Sequence, residues 1–279
     1  MEKAYFNQTV IITGASSGVG KATARHFANN GANLVLVARG QERLDQVSKE
    51  LKNITRVMSV SMDVSNFSDC ENLINKTLEE FSSIDVLINN AGYHKRGLVE
   101  ENDPKELGRM IDVNLKAPII LSRLVISHMN NNNCAIINVA SLAGRTPVPG
   151  SAVYSSSKFG LRAFTYALAT ERKEKNIKIA VVSPGPIDTP FIMDDIDSVS
   201  DLTFSQSISS IDAVAEAILE LCINDKIEQA MPKISGFLTN ISYLFPRFGL
   251  LVMPLLERKG RRVKKKLKHL IEIKNNKKL

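Results

Sequence analysis

Residues 9–20, which read TVIITGASSGVG, decide the fold of this chain. Thr9–Thr13 is a short apolar run rich in β-branched residues, a pattern typical of a buried strand. The glycines Gly14, Gly18 and Gly20 follow directly and open a segment with helical periodicity. A tight glycine turn between a strand and a helix N-terminus favours the binding of a phosphate or pyrophosphate. Gly14 is expected to permit the turn, Gly18 the close approach of the anion, and Gly20 close packing of the helix.

Apolar runs and helical segments continue to alternate after this turn. The predicted strands are Thr9–Thr13, Leu34–Ala38, Arg56–Ser61, Val86–Ile88, Ala135–Val139 and Ile177–Val182. The predicted helices are Gly20–Asn29, Gln41–Leu51, Asn66–Phe81, Pro104–Met129 as two helices, Val153–Glu174, and one from Asp212 to about Ile223. Ser65 and Asp212 are expected to be helix N-caps. This βαβ series predicts an α/β fold with a Rossmann-like, doubly wound parallel sheet of about seven strands, which binds its ligands at the carboxyl ends of the strands.

Composition excludes several classes of protein. A chain of 279 residues with 44% hydrophobic and 23% charged residues is neither disordered nor a multi-span membrane protein. Cys70, Cys134 and Cys222 lack the spacing of a disulfide framework or a zinc site, and the four histidines are scattered without metal-ligand spacing. No metal is predicted, and no signal peptide is evident, so the predicted location is the cytoplasm.

The basic character of the chain is confined to its C-terminal end. Residues 257–279 hold eleven Lys and Arg against two Glu, a net charge of +9, whereas the whole chain carries +7. The remainder therefore carries −2 and is close to neutral. This distribution argues against nucleic acid as the partner of the main domain.

One pair of residues predicts proton transfer. Tyr154 and Lys158 are four residues apart, which places them one turn apart on the same face of a helix. A tyrosine near a cation ionises more easily, so Tyr154 could donate a proton to a reduced carbonyl and accept it in the reverse reaction. Ser141 ends a strand at the edge where ligands bind, and there its hydroxyl could stabilise developing negative charge.

The order of motifs resembles the short-chain dehydrogenase/reductase family. The shared motifs are the Gly-x-x-x-Gly-x-Gly turn, Asp63-Val64, Asn89-Asn90-Ala91-Gly92, Asn114, Ser141, Tyr154-x-x-x-Lys158 and Pro184-Gly185, and the resemblance spans Thr9 to Ile223. It implies an NADP(H)-dependent oxidoreductase that interconverts a ketone or aldehyde and an alcohol. It also implies a homodimer or homotetramer, with an interface formed by the helices that begin near Asn114 and Val153.

The resemblance implies roles for individual residues. Catalysis is assigned to Asn114, Ser141, Tyr154 and Lys158, with Asn114 holding a water that links Lys158 to solvent. Cofactor binding is assigned to Gly14, Ser16, Ser17, Gly18, Val19, Gly20, Arg39, Asp63, Val64, Asn90, Ala91, Gly92, Tyr154, Lys158, Pro184, Gly185, Ile187 and Thr189. Residues 1–232 are assigned to the catalytic, NADP-binding domain.

The end of the second predicted strand indicates which cofactor is preferred. An acidic residue there would accept hydrogen bonds from the ribose of NAD and repel the 2′-phosphate of NADP. This chain has Ala38 at that position, followed by Arg39, whose guanidinium suits a phosphate. NADP(H) is therefore the predicted cofactor.

Residues 233–279 form an extension, apolar at first and then polybasic, that departs from the family pattern. Its longest apolar run, Phe248–Leu256, is too short to span a bilayer, which takes about 20 residues. One interpretation is a membrane-surface anchor, with Val263, Leu267, Leu270 and Ile271 on its apolar face. The other is a helix packed over the substrate pocket and followed by a charged tail.

The sequence gives only a weak indication of the substrate. Phe191, Ile192 and Met193 lie in a predicted lid and favour a lipophilic small molecule. His94-Lys95-Arg96 either borders the substrate entrance or, as favoured here, is a solvated loop. A non-catalytic NADPH-binding sensor or a membrane-associated scaffold is the alternative function, against which the complete set of Ser141, Tyr154 and Lys158 weighs.

Overall fold

A parallel β-sheet forms the centre of the computed structural model, which describes residues 4–130, 133–172, 177–193 and 196–276. Within these residues the sheet has seven strands in the order β3-β2-β1-β4-β5-β6-β7, all parallel. The strands are β1 Thr9–Thr13, β2 Asn33–Ala38, β3 Val57–Ser61, β4 Val86–Asn89, β5 Cys134–Val139, β6 Ile177–Pro184 and β7 Glu228–Met231. The chain reverses its direction of winding between β1 and β4, so the ends of these two strands flank a crevice. The predicted doubly wound fold is confirmed.

Helices cover both faces of this sheet. They are α1 Gly18–Asn29, α2 Gln41–Leu51, α3 Phe67–Phe81, α4 Pro104–Ile111, α5 Ala117–Ile126, α6 Ala152–Glu171, α7 Pro190–Met193, α8 Ile211–Ile223, α9 Lys233–Leu244 and α10 Pro246–Asn276. Short 3₁₀ turns occur at Val99–Glu101, Leu142–Gly144 and Asp201–Ser205, and a π-helical segment, Asp112–Lys116, joins α4 to α5. The predicted end of α6 at Glu174 lies outside the described residues.

Successive side chains of the central strands point to opposite faces of the sheet, so two hydrophobic cores form. Val10 and Ile12 of β1 face the core that α1, α2 and α8 cover, whereas Ile11 faces the core beneath α3 and α5. All three side chains are fully buried. Burying such a side chain contributes about 1.5–3 kcal/mol, which is why these strands are almost continuously apolar.

Two predicted helix caps are wrong by one or two residues. Asn66 caps α3, because its Oδ1 accepts hydrogen bonds from the backbone N–H groups of Ser68 and Asp69. Ser65 instead donates its hydroxyl proton to Asp63, which removes it from the cap. Ser210 caps α8 in the same way as Asn66 caps α3, and the predicted cap, Asp212, lies in the first turn of that helix.

Strand β7 was not located by the sequence and is held by a buried carboxylate. Glu228 forms ion pairs with Arg145 and Arg162 and accepts hydrogen bonds from the hydroxyls of Tyr166 (2.8 Å) and Ser183 (2.7 Å). These partners come from the loop after β5, from α6 and from β6. One carboxylate therefore joins four parts of the molecule.

The partners of Glu228 determine its ionisation. Burial raises the pKa of this carboxyl group, but the hydrogen bonds from Arg162, Arg145, Ser183 and Tyr166 outweigh it and lower the pKa from 4.5 to about 2. A lowered folded-state pKa means that the ionised group stabilises the folded state above pH 4.5. That stabilisation is lost as the pH falls from 4.5 toward 2.

We therefore expect Glu228→Gln to lower the free energy of unfolding at pH 7 by on the order of 3 kcal/mol. The deficit should shrink as the pH is lowered from 5 to 3, because in that window the Glu228 carboxyl group of the unfolded wild type binds a proton while that of the folded protein stays ionised until about pH 2. Urea unfolding of both proteins at each pH measures this, with the exposed Glu79→Gln as the matched control. A deficit that is the same at every pH would contradict the assignment.

Candidate functional site

The glycine turn between β1 and α1 has the shape that its sequence predicts. Gly14 and Gly18 have φ angles of +68° and +51°, which other residues rarely adopt. A Cβ atom on Gly20 would lie 2.2 Å from the carbonyl oxygen of Gly14, so only glycine fits there. The side chain of Ser17 at the helix N-cap makes no capping hydrogen bond. The first N–H groups of α1 therefore remain available to an anion.

Asn90 clamps this turn to the end of β4. Its side-chain amide donates to the carbonyl oxygens of Thr13 (2.9 Å) and Gly14 (3.3 Å). The hydroxyl of Thr13 also accepts from the backbone N–H groups of Asn90 and Ala91, each at 3.0 Å. The side chain of Asn90 thus shapes the turn.

Two cations lie at the end of β2. Arg39 follows the strand directly, and Arg43 in α2 lines the same cavity. Both side chains are exposed. The sequence analysis did not single out Arg43. Its position four residues after Arg39, at the start of a helix beside the expected phosphate site, was the available signal.

Asp63 follows β3 with its carboxylate already engaged. It accepts hydrogen bonds from the backbone N–H and the hydroxyl of Ser65, at 3.0 and 2.7 Å, and forms an ion pair with Arg109 at 2.9 Å. Burial opposes ionisation, but these partners together hold its pKa below the usual value. Asp63 and Val64 both line the cavity.

Tyr154, Ser141 and Lys158 meet where α6 passes the end of β5. The hydroxyl of Ser141 accepts from the backbone N–H of Ala143 at 3.1 Å and lies near enough to Tyr154 to act on its pKa, in the lowering direction. Lys158 donates to the carbonyl oxygen of Val139 at 2.8 Å, and its Nζ lies 5.9 Å from the centre of the Tyr154 ring. The three predicted side chains therefore form one group.

The pKa values at this group differ from the sequence argument. Burial raises the pKa of Tyr154, and the opposing effects of the Ser141 hydrogen bond and the charge of Arg96 do not reverse that direction. Burial also lowers the pKa of Lys158 to about 8. The expected net lowering of the Tyr154 pKa by Lys158 is therefore not found, because desolvation dominates for both groups.

Asn114 lies in the π-helical segment between α4 and α5 and is fully buried. Its amide donates to the carbonyl oxygen of Tyr93 (2.9 Å) and to the hydroxyl of Ser157 (3.2 Å), and its Oδ1 accepts from the N–H of Tyr93 (3.0 Å). A Cβ atom on Gly92 would lie 3.0 Å from that Oδ1 and 3.4 Å from Nζ of Lys158. Gly92 thus keeps open the space between these two polar groups.

His94 belongs to the site, contrary to the favoured solvated-loop interpretation. Its ring stacks on that of Tyr154, with centroids 4.2 Å apart and an interplanar angle of 16°. Burial, aided by the charge of Arg96, lowers the pKa of His94 to about 3, so the imidazole is neutral at physiological pH. Its position two residues after the Asn-Asn-Ala-Gly motif was the only sequence signal.

The segment after β6 forms the opposite wall. The N–H of Gly185 donates to the carbonyl oxygen of Met231 at 2.7 Å, which anchors the start of this segment to β7. A Cβ atom on Gly18 would lie 3.5 Å from the methyl carbon of Thr189, so the segment faces the glycine turn. Pro184 and Ile187 line the cavity beside them.

A cavity of about 960 Å³ joins all these parts. The predicted site residues that line it are Gly14, Ser16, Ser17, Gly18, Val19, Arg39, Asp63, Val64, Asn90, Ala91, Gly92, Ser141, Tyr154, Lys158, Pro184, Gly185, Ile187 and Thr189. Gly20 and Asn114 do not line the cavity, but each lies against residues that do. The C-terminal helices contribute Leu238, Met253 and Leu256, which agrees with the interpretation of the extension as a cover over the pocket.

Known proteins resemble this chain over most of its length. The short chain dehydrogenase family pattern matches residues 8–198. An uncharacterized oxidoreductase of Staphylococcus saprophyticus is 36% identical over 235 residues, which cover 81% of this chain and 93% of that protein. Sulfoacetaldehyde reductase 2 of Chromohalobacter salexigens is 34% identical over 187 residues, 66% of this chain and 74% of the relative.

A solved structure agrees with these sequence matches. L-Sorbose reductase from Gluconobacter frateurii, complexed with NADPH and L-sorbose, matches with a TM-score of 0.72 and 28% identity. The match covers 80% of this chain and 92% of that protein. The chain therefore belongs to the short-chain dehydrogenase family and is an oxidoreductase of that family.

Proposed function

We propose that this protein is an NADP(H)-dependent oxidoreductase that interconverts a carbonyl compound and an alcohol, with Tyr154 as its acid and base. The arrangement that carries the proposal is the contact of Tyr154 with Ser141, next to buried Lys158, in the wall of a cavity that begins at the glycine turn. Binding a nucleotide alone would not require this group.

The residues present fit NADP(H). The glycine turn leaves N–H groups of α1 available for the pyrophosphate. Ala38 leaves the end of β2 without a carboxylate that would repel a 2′-phosphate, and Arg39 and Arg43 supply positive charge there. When bound, the cofactor supplies the hydride.

Proton transfer is assigned to side chains of this protein. The raised pKa keeps the phenol of Tyr154 protonated at neutral pH, which is the form that donates a proton to the oxygen of a carbonyl under reduction. The hydroxyl of Ser141 already accepts from Ala143, so its own proton can be donated to the same oxygen. Oxidation of an alcohol needs ionised Tyr154 and is therefore favoured by higher pH.

The substrate we propose is a lipophilic ketone or aldehyde. Apolar side chains of Leu202, Leu238, Met253 and Leu256 line the part of the cavity near the C-terminal helices. Ile192 is buried in the lid, while the side chain of Phe191 lies outside the described residues. Because the two reductases named above differ in substrate, the proposal rests on the lining of this cavity alone.

We expect Tyr154→Phe to lower the rate of NADPH-dependent carbonyl reduction by about 10²–10⁴-fold, because it removes the transferable proton. Stacking with His94 is retained, so the dissociation constant for NADPH should change little. Steady-state kinetics and NADPH fluorescence titration measure the two effects. Tyr243→Phe, at an exposed tyrosine of α9, is the matched control and should keep the parent rate. A Tyr154→Phe enzyme within a few-fold of the parent rate would reject the assignment.

We expect the double change Ala38→Asp and Arg39→Ser to invert the cofactor preference toward NADH. The new carboxylate repels the 2′-phosphate, and the lost charged hydrogen bond weakens NADPH binding by roughly 10–100-fold. Arg43→Gln should weaken NADPH binding more than NADH binding. Affinities for both cofactors, with Arg123→Ser as an exposed control, measure this. An unchanged ratio of affinities in the double variant would reject NADP(H) preference.

A further inference from the structure

The α9–α10 hairpin carries an unusual concentration of exposed apolar side chains. Of the nineteen large hydrophobic residues that are exposed in the described parts of the chain, ten lie between Ile234 and Leu255. Phe237, Leu244, Leu251 and Leu255 are each more than 60% exposed. Isolated apolar residues on a surface need no explanation, but this many within one hairpin indicate an interaction surface, although two of them, Ile234 and Leu238, also line the cavity.

The exposed face of α10 changes from apolar to basic along its length. Leu251 and Leu255 are one turn apart, and Arg258, Arg262 and Lys266 continue the same stripe at spacings of three and four residues. All five side chains are exposed. One face of the helix therefore presents hydrocarbon first and positive charge next.

The opposite face of α10 holds the helix against the protein. Val263 and Leu267 pack on a hydrophobic cluster, and Nζ of Lys264 donates to the carbonyl oxygen of Val199 at 2.6 Å. The cluster consists of Ile192, Ile196, Val199 and Phe204. The sequence interpretation had placed Val263 and Leu267 on the face of an anchor, so the structure corrects it. Leu270 and Ile271, the other two residues of that face, have side chains outside the described residues.

We propose that the exposed face of α9 and α10 docks this protein on the surface of an anionic lipid bilayer. The apolar side chains would enter the boundary between headgroups and acyl chains, and the basic stripe would lie on the headgroups. The charge distribution matches such a partner, because residues 257–279 carry a net charge of +9 in a chain whose total is +7. Among the described residues, no helix is long and apolar enough to cross a bilayer.

Charge also favours a bilayer over a second copy of this chain. A two-fold contact that covered the whole of this face would place two basic stripes together or bury one basic stripe against apolar side chains, whereas a contact limited to the apolar part would leave the basic stripe without a partner. Like charges repel in the first arrangement, and charges lose their hydration in the second. Binding to an anionic surface avoids both the repulsion between like charges and the burial of charges against apolar side chains.

The test is co-sedimentation of the full chain with vesicles, without any enzyme substrate. Vesicles of phosphatidylcholine with about 30% phosphatidylserine should bind the protein, and both added salt and pure phosphatidylcholine should weaken binding. Arg258→Gln with Arg262→Gln should weaken binding roughly 30-fold. Leu251→Asp with Leu255→Asp should weaken it about tenfold or more.

Matched controls change residues of the same kind that are also exposed but lie elsewhere. Ile54→Asp with Ile223→Asp adds the same charge at exposed apolar positions outside the hairpin, and Lys52→Gln with Lys76→Gln removes two exposed cations. Both controls should bind vesicles like the parent. Unchanged NADPH affinity and melting temperature in every variant would show that folding is intact. Because vesicle binding is measured without turnover, its failure would leave the proposed reaction unaffected.

Any one of the following results would overturn the proposal. The first is that the parent protein does not sediment with anionic vesicles. The second is that the hairpin variants sediment as well as the parent. The third is that the controls lose as much binding as the hairpin variants. The fourth is binding to duplex DNA that is as tight as binding to vesicles and survives the two leucine changes, which would assign the basic stripe to nucleic acid. The protein could also form a dimer in light scattering, fail to bind vesicles, and lose the dimer only in the leucine variant. That result would instead make the face an interface between copies.

Discussion

The hydrogen bonds between the ends of β1 and β4 are the constraint on which the rest of the site depends. These two strands flank the point where the sheet reverses its winding, and a crevice opens there because the helices that follow them lie on opposite faces. Four hydrogen bonds close the bottom of that crevice, in which Asn90 and the N–H of Ala91 donate to oxygens of Thr13 and Gly14. The glycine turn can then expose its N–H groups without collapsing into the crevice.

Helix α6 fixes Tyr154 and Lys158 relative to this crevice. Lys158 is fixed to the end of β5 by its bond to Val139, and a Cβ atom on Gly144 would lie only 2.6 Å from the backbone oxygen of Lys158. The loop after Ser141 therefore lies directly on α6. On the far side, Arg162 of the same helix pairs with Glu228 of β7. Tyr154 is thus positioned by a helix that is fastened to the sheet at two strands.

The sequence predicted the central strands and most helices because their signals are local: apolar runs of the right length, bounded by turn residues. It missed β7, whose Glu228–Met231 segment is a half-buried edge strand that forms only by pairing with β6. The motif residues were placed together around one cavity as expected. The direction of the Tyr154 pKa and the stacking of His94 were not predicted, because both depend on burial by residues distant in sequence.

The C-terminal helix illustrates a limit of periodicity. A helical pattern can separate an apolar stripe from a basic one, but it does not say which stripe the protein itself will cover. In α10 the cluster that contains Ile192 and Phe204 covers Val263 and Leu267, so the side left outside is the one that begins with Leu251 and ends with Lys266. The same hairpin lines the inner cavity with Met253 and Leu256. Its two faces therefore contact different surroundings, and substitutions at Leu251 or Leu255 on the outer face leave the lining of the cavity unchanged.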